Sequence, residues 1–157
     1  MRIFVMRHGE SEVIAKTDKA RHLTSYGKKQ AFAQGERLKL FTNSFQRVLV
    51  SPYVRALETF EQVNQAFDEI LKANLEIWEG ITPYGSAVLA TDYLSVLKSE
   101  GINSVLIISH LPLVGEIVAE LYGKRNPINF YPATIAQLEW KDGKGEIISY
   151  HYPPEIL

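Results

Sequence analysis

The sequence predicts an α/β domain, a mostly parallel central sheet with helices on both sides, and three observations point there. Short runs rich in Val, Ile and Leu recur along the chain with helical patterns between them. Those runs are apolar on both faces, as strands in the middle of a covered sheet are. The chain is 157 residues long and 46% hydrophobic, enough for one core and tight for two. The expected organisation is one domain over residues 1–157.

Residues 2–7 (RIFVMR) are the first expected strand. Thr24 or Ser25 then caps a helix running to about Phe41. Residues 47–51 (RVLVS) are the second strand. Ser51-Pro52 offers an N-cap followed by proline at the first helical position, and Val54, Leu57, Val63, Phe67, Ile70 and Leu71 keep roughly helical spacing behind it. Residues 86–99 repeat the pattern with Val88, Leu89, Leu94 and Leu97. Residues 104–109 (SVLIIS) are the third core strand. A last helix starts around Pro112, buries Val114, Ile117, Val118 and Leu121, and stops at Gly123. Residues 134–140 and 146–150 flank the turn-forming Lys141-Asp142-Gly143-Lys144-Gly145 and read as a hairpin at a sheet edge.

Composition narrows the function. With 17 basic and 18 acidic side chains the chain is neither disordered nor a bulk-charge binder of nucleic acid. The absence of cysteine excludes disulfide scaffolds, thiolate zinc sites and Cys nucleophiles, and fits a cytoplasmic protein. The start, MRIFVMRHGES, has only four apolar residues in a row before Arg-His, which is neither a signal peptide nor a membrane span. Neither a nucleic acid nor a membrane is expected as a partner.

In an open α/β sheet, ligands bind beyond the carboxyl ends of the strands. The first strand runs out into Arg7-His8-Gly9-Glu10, the second into Ser51-Pro52-Tyr53-Val54-Arg55, the third into Ser109-His110-Leu111-Pro112. Two histidines and two arginines, far apart in sequence, thus converge on one edge. The planar, permanently charged arginine fork suits phosphoryl oxygens. Histidine, which titrates near neutrality, can be a nucleophile, a proton carrier or a donor to the same oxygens. Helix N-termini beginning near Pro52 and Pro112 add partial positive charge there. Each residue alone has a structural reading: Arg7 as a charge beyond a strand end, His8 and His110 as satisfied core histidines, Arg55 as a solvated side chain. Together they describe a phosphate pocket with a nucleophile in it. Metal binding by His8 and His110 lacks an HExxH pattern, a cysteine or a third ligand at useful spacing, so no metal and no cofactor are expected.

Arg-His-Gly-Glu closing the first strand, Leu23-Thr24 followed by Gly27 and Gln30-Ala31, Ser-Pro-x-x-Arg-Ala-x-x-Thr at 51–59, and Ser109-His110 after an apolar strand resemble the histidine phosphatase superfamily, with its phosphoglycerate-mutase-like fold. Further stretches at 4–9, 47–52, 82–85 and 105–115 resemble the bacterial phosphohistidine phosphatases of that family, in the same order to about residue 123. The resemblance implies a three-layer α/β/α fold, in the minimal version without a cap insertion. It implies that His8 is the nucleophile that becomes phosphorylated, its second ring nitrogen held by a backbone carbonyl near Gly9. Arg7 and Arg55 would clamp the phosphoryl oxygens, and His110 would donate to the transferring group. Arg21 would be a further phosphate contact beside Lys16 and Lys19, with Gly9 also lining the substrate site and Glu10 holding the loop.

Relatives that act on alcohol phosphates usually insert a helical region carrying a carboxylic acid after the second-strand helix. Here about thirty residues follow Leu71 before the next core strand, and Glu76 and Glu79, in roughly the right region, are set aside as proton donors. An imidazole leaving group, whose conjugate acid has a pKa of about 6.5, departs without a dedicated acid. The expected function is therefore a protein phosphohistidine phosphatase, acting on a histidine-phosphotransfer domain or a phosphotransferase-system phosphocarrier. A small-phosphoester phosphatase and a non-catalytic phosphate-binding module remain the alternatives.

Overall fold

Alternation along the central strands decides which helices lie on which face. Successive strand side chains point to opposite sides, so Ile3, Val5, Leu49, Val105 and Ile107 pack on one side and Phe4, Met6, Val48, Val50, Leu106 and Ile108 on the other. The computed structural model describes residues 1–156; Leu157, the last residue of the expected domain, lies outside the described residues. In chain order the elements are β1 (Arg2–Arg7), α1 (Ser25–Leu38), β2 (Arg47–Val50), α2 (Val54–Ala66), β3 (Leu75–Ile77), α3 (Ala87–Ser99), β4 (Ser104–Ser109), α4 (Leu113–Tyr122), β5 (Ile135–Lys141) and β6 (Lys144–His151). The sheet order is β3-β2-β4-β1-β5-β6. Its first four strands run parallel, and β5 and β6 form an antiparallel edge. Leu94, Leu97, Val114, Ile117 and Leu121 of α3 and α4 cover the first face; Leu38, Phe60 and Val63 of α1 and α2 cover the second. The result is the expected three-layer α/β/α arrangement.

The core strands and the first residues of α1 and α3 fall where the sequence places them, with Thr24 and Ser86 accepting from the backbone N–H groups of Gly27 and Leu89 as N-caps. Elsewhere local geometry intervenes. α1 ends at Leu38, short of Phe41. α2 begins at Val54 behind Tyr53 rather than at Pro52. It also stops at Ala66, because Asp68 and Glu69 take left-handed backbone angles, φ 54° and 65°. Ile70 and Leu71 belong to a separate 3-10 turn, Ile70–Asn74, whose Leu71 N–H donates to the Asn64 side chain at 3.0 Å. That turn returns Leu71 to the same core, which is why its spacing looks helical. β3 is a strand the sequence reading left out. The hairpin turn is tighter than the glycine-rich stretch suggests: Lys141 pairs with Lys144, leaving Asp142 and Gly143 at φ 54° and 76°, the signs of a two-residue type I′ turn. Among the described residues no helix is long and apolar enough to cross a membrane.

Candidate active site

Strand register brings the site together. Arg7 pairs with Ser109 and Val50 with Ile108, so the next residues, His8, His110 and Ser51, leave the sheet at one edge. The ladder continues one step past it, His8 N–H donating to the Ser109 carbonyl at 3.0 Å and Ser51 N–H to that of Ile108 at 3.1 Å. The Thr59 hydroxyl, on α2, accepts from Gly9 N–H at 3.1 Å and donates to the Arg55 carbonyl at 2.8 Å, tying the loop after β1 to the helix that carries Arg55. The loop also packs on the start of α1 without side chains between them. A Cβ at Gly9 would stand 2.5 Å from the Gly27 carbonyl oxygen, and one at Gly27 would stand 2.0 Å from that of Glu10. Only glycine fits either position. The Glu10 carboxylate accepts from the Thr24 hydroxyl at 2.8 Å, a loop-holding contact as expected.

His8 is 5% exposed. Its Nδ1 donates to the Gly9 carbonyl at 2.7 Å, which leaves a lone pair on Nε2, and Arg55 Nε donates toward that atom at 3.3 Å. Burial first, then the charges of Arg55, Arg7 and Arg21, outweigh the Gly9 hydrogen bond and lower the imidazole pKa to about 3. His8 is thus neutral at physiological pH. His110, 1% exposed, lies with its ring centroid 5.2 Å from that of His8. The Ser51 hydroxyl accepts from Tyr53 N–H at 3.3 Å and is hydrogen-bonded to His110 Nε2, 2.7 Å away. With that hydroxyl donating to Nε2, the ring proton sits on Nδ1, a buried atom with no partner among the described residues. Burial, followed by His8 and the arginines, lowers the pKa of His110 to about 2.

Arg55, 4% exposed in the first turn of α2, is poorly placed for the helix dipole and finds its counter-ion in Asp18. Its two terminal nitrogens donate to the Asp18 backbone carbonyl at 2.8 Å and to the carboxylate at 3.2 Å, and its guanidinium lies over the Tyr53 ring at 5.1 Å. The other oxygen of the same carboxylate accepts from Arg21 Nε at 2.9 Å. Arg21 therefore meets the site through Asp18, while it also donates to the Glu12 carbonyl at 3.1 Å. Burial pushes the Asp18 carboxyl up, but the two guanidiniums more than reverse this and hold it below the usual range. Arg7 donates to the Phe130 carbonyl at 2.9 Å, and its Nε is buried without a partner among the described residues. Burial and then repulsion from Arg55 lower its pKa. The arrangement suits an anion: clustered guanidiniums and a second buried imidazole beside an unprotonated imidazole nitrogen.

The structure thus gathers Arg7, His8, Gly9, Arg55 and His110, and attaches Arg21 one residue out. Asp18 and Thr59 were missed as site residues. Thr59 stands inside the 51–59 motif, and Asp18 is the one acid in the basic stretch from Lys16 to Arg21. Glu76 is committed elsewhere, accepting from Arg47 at 2.7 Å and from the Tyr93 hydroxyl at 2.8 Å and 2.7 Å. Glu79 is exposed, and its charge adds, after burial, Tyr84 and Asp18, to raising the Tyr53 phenol. Among the described residues no group of three or more His, Asp or Glu side chains could hold a metal ion.

Two buried neutral histidines make stability depend on pH. Their unfolded pKa is about 6.5, and their folded values are about 3 and about 2. Between those limits the unfolded chain binds more protons, so stability falls as pH drops below about 6.5. The melting temperature is expected to decline steadily from pH 7 to pH 4, and less steeply in His110→Gln. Equal slopes in scanning calorimetry would contradict the buried neutral state of His110.

A model of the histidine phosphatase superfamily (branch 1) matches residues 3–84. The phosphohistidine phosphatase SixA homolog of Haemophilus influenzae is 68% identical over 161 residues, covering 99% of this chain and 98% of that protein. The phosphohistidine phosphatase SixA of Escherichia coli is 36% identical over 154 residues, covering 98% of this chain and 94% of that one. The solved structure of the protein histidine phosphatase SixA complexed with tungstate superimposes with a TM-score of 0.88 at 38% identity, covering 96% of both chains.

Proposed function

The chain belongs to the histidine phosphatase superfamily, and from that premise we propose that it is a protein phosphohistidine phosphatase, one histidine-phosphatase domain throughout. The observation that carries this reading is the state of His8: Nδ1 proton on the Gly9 carbonyl, Nε2 lone pair available in a field of arginines. The likeness over nearly full length to the SixA proteins, and to one that holds tungstate, an oxyanion, supports it.

In the first transfer the Nε2 lone pair attacks phosphorus and the phosphorus–nitrogen bond to the substrate breaks. The substrate imidazole keeps the electron pair and leaves neutral when its second nitrogen carries a proton. In the second transfer water attacks, inorganic phosphate is released and one proton goes to solvent. Because His8 Nδ1 keeps its proton, the phosphorylated ring is an imidazolium and a good leaving group. Arg7 and Arg55 hold the equatorial oxygens, His110 Nδ1 donates to the same group, and Arg21 adds to the positive field. Gly9 serves the site through its backbone, since its N–H is taken by Thr59 and its carbonyl by His8.

The phosphoryl donor is a histidine on a cytoplasmic signalling protein, either a histidine-phosphotransfer domain of a sensor kinase or a phosphocarrier of a phosphotransferase system. The segment between α2 and β4 is used for β3, short 3-10 turns and α3, which packs against α4 on one face. A radiolabelled phosphotransfer domain mixed with the protein and quenched into base is expected to lose its label, with acid-labile label appearing briefly on the enzyme. Persistence of the label on the substrate would overturn the reading.

A further inference from the structure

The loop between β1 and α1 ends in two almost wholly exposed aliphatic side chains, Val13 at 86% and Ile14 at 88%. Single exposed apolar residues are ordinary, but these are not isolated. The loop is closed at its neck by the Ser11–Leu23 bridge and by Glu12 N–H donating to the His22 carbonyl at 2.8 Å. Arg21 ties Glu12, next to Val13, to Asp18, and Asp18 meets Arg55, whose Nε faces the nucleophile. The Val13–Ile14 tip is therefore held beside the pocket. Tyr84, 83% exposed, lies close enough to Tyr53 to affect its ionisation, and the Tyr53 ring is 5.1 Å from that of His110. Leu111, directly after His110, lines with Phe130 and Tyr131 a cleft of about 510 Å³ that also takes in Arg7. Apolar side chains thus stand on several sides of one polar pocket. Lys16 and Lys19, exposed on the same loop, form no ion pair among the described residues.

We propose that Val13, Ile14, Tyr84 and Leu111, with Lys16 and Lys19, form the docking surface for the folded protein that carries the phosphohistidine, which presents apolar side chains around that histidine and acidic groups toward the lysines. This rests on the function proposed above. The occupant follows from continuity with the pocket. His8 is nearly buried, and a histidine side chain has only two rotatable bonds, so its phosphoryl group reaches His8 only when the surface bearing it settles on the rim. Apolar and aromatic side chains supply the affinity of such contacts, while flanking charges mainly set the encounter rate and its salt dependence.

The test compares a phosphorylated phosphotransfer domain with free phosphohistidine as substrates of the parent, V13D/I14D and K16E/K19E. For the domain, KM is expected to rise about tenfold in V13D/I14D and about threefold in K16E/K19E, the latter difference vanishing in high salt. Turnover of free phosphohistidine and the melting temperature should stay at parent values. An unchanged KM for the domain, or equal losses on both substrates, overturns the docking surface alone. A parent that hydrolyses free phosphohistidine but not the domain overturns the protein-substrate reading, and the surface with it. Self-association of the parent that V13D/I14D abolishes, with KM unmoved, would reassign the face to a second copy of this chain.

Discussion

His8→Ala is expected to lower turnover of a phosphohistidine substrate by at least about 10⁴-fold, the scale on which removing a covalent nucleophile acts. No other described group substitutes for it. His110, the nearest imidazole, already has Nε2 engaged by Ser51. Arg55 donates rather than accepts, and Asp18 is bound by two guanidiniums. The fold should survive, because the ring's polar ties are one hydrogen bond to the Gly9 carbonyl and one long one from Arg55. Single-turnover rates and acid-labile label on the enzyme measure the first effect, and thermal unfolding the second. Parent-like hydrolysis by the variant would move the nucleophile elsewhere.

Arg55→Ala should cost about 10³-fold in kcat/KM, comparable to removing a guanidinium that stabilises a phosphoryl transition state. All three of its nitrogens are engaged, Nε toward His8 and the terminal pair toward Asp18. Arg55→Lys should therefore recover little, since an ammonium cannot reproduce the fork. Thermal stability should change modestly. The carboxylate left behind is about half exposed and keeps Arg21, and the repulsion between Arg55 and Arg7 disappears. A small kinetic loss with a large drop in melting temperature would assign Arg55 to structure instead.

The parts of this molecule that were legible in its sequence are those written in contiguous residues. β1, β2 and β4 show themselves because burial on both faces demands unbroken apolar runs, and the residues just past their ends then name the pocket. β3 has three residues with Glu76 at its centre, too short for a period to register. The break between Ala66 and Ile70 depends on two left-handed residues, Asp68 and Glu69, that no glycine announces. Asp18 was hidden for a different reason. Its partner lies 37 positions away, and only closure of the loop between Ser11 and Leu23 brings the two together. Thr59 was visible as part of a motif, but its work, joining Gly9 to Arg55, is a tertiary fact.

Three guanidiniums, only two of them on the Asp18 carboxylate, give the pocket surplus positive charge that folding has to hold in place. Arg7 and Arg55 are each easier to deprotonate than in water, burial being the main cause; repulsion from Arg55 adds to it at Arg7, while at Arg55 the Asp18 carboxylate opposes it. The resting protein is therefore frustrated where it works, and a phosphoryl dianion is the species that relieves it. By linkage, whatever anion fills the site also tightens the fold.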